Sequence, residues 1–254
     1  MVVKTKEKNK KSSVVSKKKT SAKKRIRSSY EKPLVLINFK TYEQATGDNA
    51  LELALICEKV ALDTGANIIV AVQPTDIRMI AETVSIPVYS QHIDPVTYGS
   101  FTGHVTPESV KQAGAAGTLL NHSENRLRID ILQACVIAAK NIGIKTVICA
   151  NDAIIGQAVN SLEPDYIAVE PPELIGGDIS VSDAKPSVIK ESVKRISGKS
   201  KKKTVLVGAG IKTNKDFKKS IKLGANGVLI ASGITKAKDP EKALRDLIKG
   251  IFKK

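Results

Sequence analysis

Eight short runs rich in β-branched and other apolar residues recur along this chain, and a stretch of helical periodicity separates each from the next. The runs are LVLINF (34–39), NIIVAV (67–72), PVYSQH (87–92), GTLLNH (117–122), TVICAN (146–151), DYIAVE (165–170), TVLVGA (204–209) and GVLIAS (227–232). Most are continuously apolar, as parallel strands covered on both faces must be, whereas a strand with one wet face would alternate. Between them lie amphipathic stretches such as ALELALICEKVALDTG (50–65) and DPEKALRDLIKGIF (239–252). The second opens with Asp239 as N-cap and Pro240 at the first helical position. Strict alternation over eight units points to a closed (β/α)8 barrel ahead of an open, doubly wound sheet. No G-x-G-x-x-G follows the first run, so the usual dinucleotide fingerprint is missing.

Charge divides the chain into an arm, residues 1–32, and a barrel domain, residues 33–254. The arm holds 13 of the 41 Lys and Arg but 2 of the 25 Asp and Glu, which makes most of the formal +16 its own. It has too few apolar residues to offset its ordering entropy and reads as disordered. Three uses compete: a solvated tail, salt-sensitive contact with nucleic acid or another acidic surface, and a targeting segment. The absence of interleaved aromatics weakens the nucleic-acid reading, and the absence of an apolar core after the charges excludes a secretory signal. The tail is the favoured reading. No apolar run approaches the length of a membrane span. Cys57, Cys135 and Cys149 show no metal-ligand spacing, and an odd, sparse set of thiols among apolar neighbours fits a reducing cytoplasm.

In a barrel of this kind function gathers where strands end. Those positions hold Asn38 and Lys40, Gln91 to Asp94, Asn121 to Glu124, Glu170, Gly208 to Gly210, and Ala231 to Gly233. Glu170, braced by Pro171 and Pro172, is a positioned base or else the partner of a nearby lysine. His122 precedes Ser123-Glu124-Asn125, which reads as a helix start whose dipole would keep the ring neutral; alone it would be a structural histidine. Lys40 offers a fixed cation for an oxyanion, or snorkels at the surface. Small residues after the last two strands let backbone N–H groups approach a phosphate, although glycines are also common in ordinary turns. Base, electrophile, cation and anion cup fall on one face of one barrel, and that conjunction favours an active site.

These residues are carried by longer motifs: NFKTY (38–42), QHIDP (91–95), FTGH (101–104), LLNHSEN (119–125), AVEPPELIG (168–176), GAGI (208–211) and ASGITKAKDPEKALRDL (231–247). Together they resemble the triosephosphate isomerase family, a TIM-barrel family, in its short archaeal form, over residues 33–254. The resemblance implies interconversion of dihydroxyacetone phosphate and glyceraldehyde 3-phosphate through an enediolate, without metal or organic cofactor. It makes Glu170 the base, His122 the electrophile, and Asn38 and Lys40 substrate contacts. Backbone around Ile175, Gly176, Gly210, Ala231 and Ser232 would hold the phosphate. Glu124 would support Lys40, or act simply as a helix N-terminal acid. VEPPELIGG (169–177) becomes a lid with a stiff and a loose hinge, in which Glu173 is a lid residue and not a second catalyst.

The family continues its lid Gly-Thr-Gly where this chain has Gly176-Gly177-Asp178. Asp178 would weaken phosphate binding or slow closure, or point outward as a cap. Phe101 to His104 matches a loop that family members insert into a neighbouring subunit, so a dimer or tetramer is expected. The rivals are another phosphate-handling barrel enzyme and a barrel kept as a binding protein, tethered to nucleic acid by its arm.

Overall fold

The computed structural model describes residues 32–177, 179–197 and 204–252. Residues 1–31, nearly all of the basic arm, and Asp178 of the lid lie outside the described residues, as do the readings that depend on them.

All eight apolar runs form strands: β1 Leu34–Asn38, β2 Asn67–Val72, β3 Val88–Ser90, β4 Gly117–Leu120, β5 Lys145–Ala150, β6 Tyr166–Val169, β7 Thr204–Val207 and β8 Gly227–Ile230. Each pairs in parallel with the next, and β8 returns to β1 from Leu34↔Gly227 to Ile37↔Ile230. The sheet is a closed barrel, which removes the open-sheet alternative.

Alternation along each strand feeds two separate apolar cores. Leu36, Ile69, Leu119, Val147, Ala168 and Leu229 point inward and fill the barrel. Their sequence neighbours, among them Val35, Val70, Ile148 and Val228, point outward under the helices. Both faces are dry, which is why most of the runs are largely apolar. Each Val, Leu or Ile among them stabilises the fold by roughly 1.5–3 kcal/mol relative to exposure.

The long helix Asp48–Thr64 ends where Gly65 turns left-handed and its N–H bonds the Ala61 carbonyl at 2.8 Å. The last helix, Pro240–Ile248, starts as the sequence indicates, with the Asp239 carboxylate accepting the Lys242 N–H at 2.9 Å. It stops short of residue 252, because the chain leaves helical geometry at Lys249. No helix among the described residues is long and apolar enough to cross a membrane.

Most strands stop one or two residues before their apolar runs do. There the chain leaves the ladder and turns polar groups into the mouth, with left-handed backbone at Lys40 (φ 52°), Asn121 (φ 60°) and Ala209 (φ 71°).

Candidate active site

Lys40 reaches the mouth through a turn that its neighbours enforce. Asn38 continues the inward series Leu34, Leu36, and its Oδ1 accepts the Lys40 backbone N–H at 3.0 Å. Gln91, at the end of β3, donates Nε2 to the Lys40 carbonyl at 2.8 Å. Held from both sides, the turn delivers a side chain only 10% exposed, and its ammonium meets Glu124 Oε1 at 2.5 Å. Glu124 therefore supports the lysine and does not serve as a helix N-terminal acid.

The environment of His122 corrects one expectation. The helix after β4 is Ile129–Ile142, so no helix begins beside the ring. A local turn replaces it, in which the Asn125 N–H bonds the His122 carbonyl at 2.9 Å. The Glu124 backbone N–H donates to Nδ1 at 3.2 Å, while the Glu124 carboxylate lies farther from that nitrogen, at 3.5 Å. Because a backbone N–H can only donate, Nδ1 is the acceptor and the neutral ring carries its proton on Nε2. Burial pushes the imidazole down to about 4, Lys40 and Arg126 push the same way, and Glu124 opposes them. Burial and cations keep this ring neutral, in place of the helix dipole the sequence suggested.

Glu170 extends the inward series Tyr166, Ala168 one step beyond β6, and its N–H is tied to the Ala150 carbonyl at 2.8 Å. The side chain is buried, and Oε2 has no hydrogen-bond partner. His122 Nε2 lies 3.6 Å from that oxygen, beyond hydrogen-bond length. Burial pushes the carboxyl up to about 7 against the lowering pull of Lys40, the Cys149 thiol and Arg126. A dry carboxylate that is ionised near neutrality and has one oxygen uncommitted is suited to accept a proton from carbon.

Gly208 makes room for it. A Cβ there would lie 2.3 Å from Glu170 Oε1, so only glycine fits beside the carboxylate. Sequence reasoning had placed Gly208 in the anion cup. Cys149 lies among the inward apolar side chains of the barrel, as a small hydrophobe would, and burial holds its thiol well above its usual pKa.

One cavity joins Lys40, His122 and Glu170 to Ile175, Gly176, Gly210, Ala231 and Ser232. Gly210 turns left-handed (φ 69°), and a Cβ there would stand 2.2 Å from the Ile179 carbonyl oxygen. Ser232 begins the short helix Ser232–Thr235, whose first N–H groups have no place in its own ladder. Asn38 is the one predicted site residue outside this cavity; it lines an adjoining one together with Gln91 and Glu124. Tyr42 and Lys212 also border the main cavity and were not singled out by sequence reasoning. Among the described residues no three His, Cys, Asp or Glu side chains cluster as metal ligands would.

The lid leaves β6 through the 3-10 turn Pro172–Leu174, whose Pro172 carbonyl accepts the Ile175 N–H at 3.1 Å. Glu173 points away from the cavity and pairs with Lys185. Gly176 takes φ 75°, a conformation that favours glycine.

A profile of the family described as triosephosphate isomerase matches residues 33–251. The triosephosphate isomerase of Methanocaldococcus jannaschii is 49% identical over 218 residues, covering 86% of this chain and 100% of that relative. That of Methanosarcina acetivorans is 48% identical over 217 residues, 85% of this chain and 98% of the relative. That of Methanobacterium bryantii is 48% identical over 221 residues, 87% and 98% of the two chains.

Proposed function

The chain belongs to the triosephosphate isomerase family, and from that we propose how its mouth performs the reaction. It interconverts dihydroxyacetone phosphate and glyceraldehyde 3-phosphate, an aldose–ketose isomerisation of glycolysis and gluconeogenesis. Glu170 takes a proton from the carbon beside the carbonyl and returns it to the neighbouring carbon. His122 donates its Nε2–H to the carbonyl oxygen and stabilises the enediolate as a neutral hydrogen-bond donor. Lys40 supplies the positive charge that the enediolate and phosphate both attract. Asn38 acts on substrate chiefly by fixing the Lys40 turn. The phosphate lies against backbone at Ile175, Gly176, Gly210, Ala231 and Ser232. Closure of Leu174 to Gly177 sheds water, which keeps the enediolate from losing its phosphate.

The observation that carries this reading is the buried, unpartnered Oε2 of Glu170 in a cavity shared with a neutral imidazole and an ammonium. A coupled isomerisation assay of glyceraldehyde 3-phosphate, run beside Glu170→Ala, tests it. A loss of about 10²–10⁴-fold in kcat is expected. Equal activity of the two proteins would end the assignment.

Similarity to archaeal relatives supports reading the protein as the short archaeal form, and we read it as working in the cytoplasm. Phe101, exposed on the loop that also carries His104, would enter a neighbouring subunit in a dimer or tetramer. Residues 1–32 act as a solvated tail. Salt-sensitive binding to nucleic acid that disappears when they are removed would overturn that.

A further inference from the structure

We propose that Arg126 is a positioning residue that clamps the mouth ends of β4 and β5 together and so keeps His122 and Glu170 in register. The proposal rests on the reading of those two side chains as the reacting pair. Asn121 immediately precedes His122 and holds a left-handed backbone (φ 60°) that asparagine tolerates better than most residues but does not prefer. Bonds from three directions fix it there. Its Nδ2 donates to the Cys149 carbonyl at 3.0 Å, its Oδ1 accepts the Leu127 N–H at 2.9 Å, and its carbonyl accepts Arg126 Nη1 at 2.8 Å. The other end of the same guanidinium, Nη2, donates to Asn151 Oδ1, one residue past β5.

One rigid fork therefore ties the residue before His122 to the end of β5, whose Ala150 carbonyl accepts the Glu170 N–H at 2.8 Å. A lysine has one ammonium and no planar fork, and cannot hold both acceptors in this geometry. The charge acts in the same direction as the geometry. Glu170 is faced by Lys40 from the end of β1, by His122 and Glu124 from the turn after β4, by Cys149 from β5, by Arg126, and by Gly208 just past β7. Within that set the Arg126 cation favours ionised Glu170 and disfavours protonated His122. Both are the states that isomerisation needs.

The test measures kcat, KM and the pH dependence of kcat/KM for Arg126→Met, Arg126→Lys and Asn121→Gly, with His122→Gln alongside. Arg126→Met is expected to lower kcat by about 10–100-fold with KM little changed, as for a misplaced reacting pair. Its acid limb should move to higher pH, because Glu170 loses a neighbouring cation. The substrate's own ionisation is common to all the proteins and cancels from that difference. Arg126→Lys should restore the limb but only part of kcat. Asn121→Gly keeps the left-handed turn and removes two side-chain bonds, and should lower kcat without moving the limb. Wild-type kcat and limb in Arg126→Met would overturn the clamp, as would a loss of activity that follows thermal unfolding with the limb in place. If Arg126→Met does not fold, unchanged kcat in both Arg126→Lys and Asn121→Gly overturns it. An unimpaired His122→Gln would instead remove the reading of the reacting pair, whatever the clamp variants do.

Discussion

The two ends of the barrel continue the same alternation of side chains and finish it in opposite ways. At the floor, several polar groups pair with one another. The Asp165 carboxylate accepts Lys145 Nζ at 2.6 Å and the Thr146 N–H at 3.0 Å, and Asn226 Oδ1 accepts the Val205 N–H at 2.9 Å. At the mouth, Lys40, Asn121 and Ala209 hold left-handed backbone, and a buried carboxylate oxygen goes without a partner. Non-glycine residues in such conformations cost on the order of 1–3 kcal/mol each, and they persist only where surrounding structure over-determines them. The floor and the two apolar cores provide that support. Among the described residues, three of the four left-handed non-glycine residues and the unpartnered carboxylate oxygen of Glu170 lie at the mouth, whereas the floor has one such residue, Glu163 (φ 57°).

Substitutions at equivalent glycines should separate the two ends. Gly208→Ala sets a methyl group 2.3 Å from Glu170 Oε1 and must displace the base, so kcat should fall on the order of 10²-fold in steady-state assays while the protein still folds. Gly117→Ala makes a similar intrusion at the floor, with its Cβ 2.5 Å from the Tyr89 ring and 2.8 Å from the Lys145 carbonyl oxygen. Denaturant unfolding should show a loss of roughly 1–3 kcal/mol, with kcat per folded molecule unchanged. The comparison breaks if the effects exchange places.

Glu170→Gln sharpens it with a smaller effect. The carboxyl rises from 4.5 to about 7 on folding, so the folded protein holds the proton more tightly than the unfolded chain. Stability from this group is present below the unfolded value and is lost as pH rises through about 7. Glutamine carries no such charge. The variant should therefore be more stable than wild type at pH 8, by roughly 1–3 kcal/mol, and equally stable at pH 4, as read by thermal unfolding at the two pH values.

The strands were legible because burial on both faces leaves few polar residues in a run. Their ends were overextended, since Asn121 and His122 continue a run in composition while leaving the ladder in geometry. The placing of Glu170 and Lys40 at the barrel mouth, and the left-handed turn at Gly176, were legible from position on the chain. The neutrality of His122 was expected for the wrong reason, because a tight turn and a helix start share residues such as Ser123, Glu124 and Asn125. The links from Gly208 to Glu170 and from Gln91 to Lys40 cross between strands at a register that one-dimensional periodicity does not carry.

The central claim is that the mouth holds its base dry and retuned. Isotope-edited NMR of protein labelled at the glutamate carboxyl carbons, with the Glu170 resonance assigned by its absence in Glu170→Gln, follows that group directly through a pH titration. A midpoint near 7 is expected for Glu170. A midpoint in the ordinary carboxylate range, about 4.3, would contradict it.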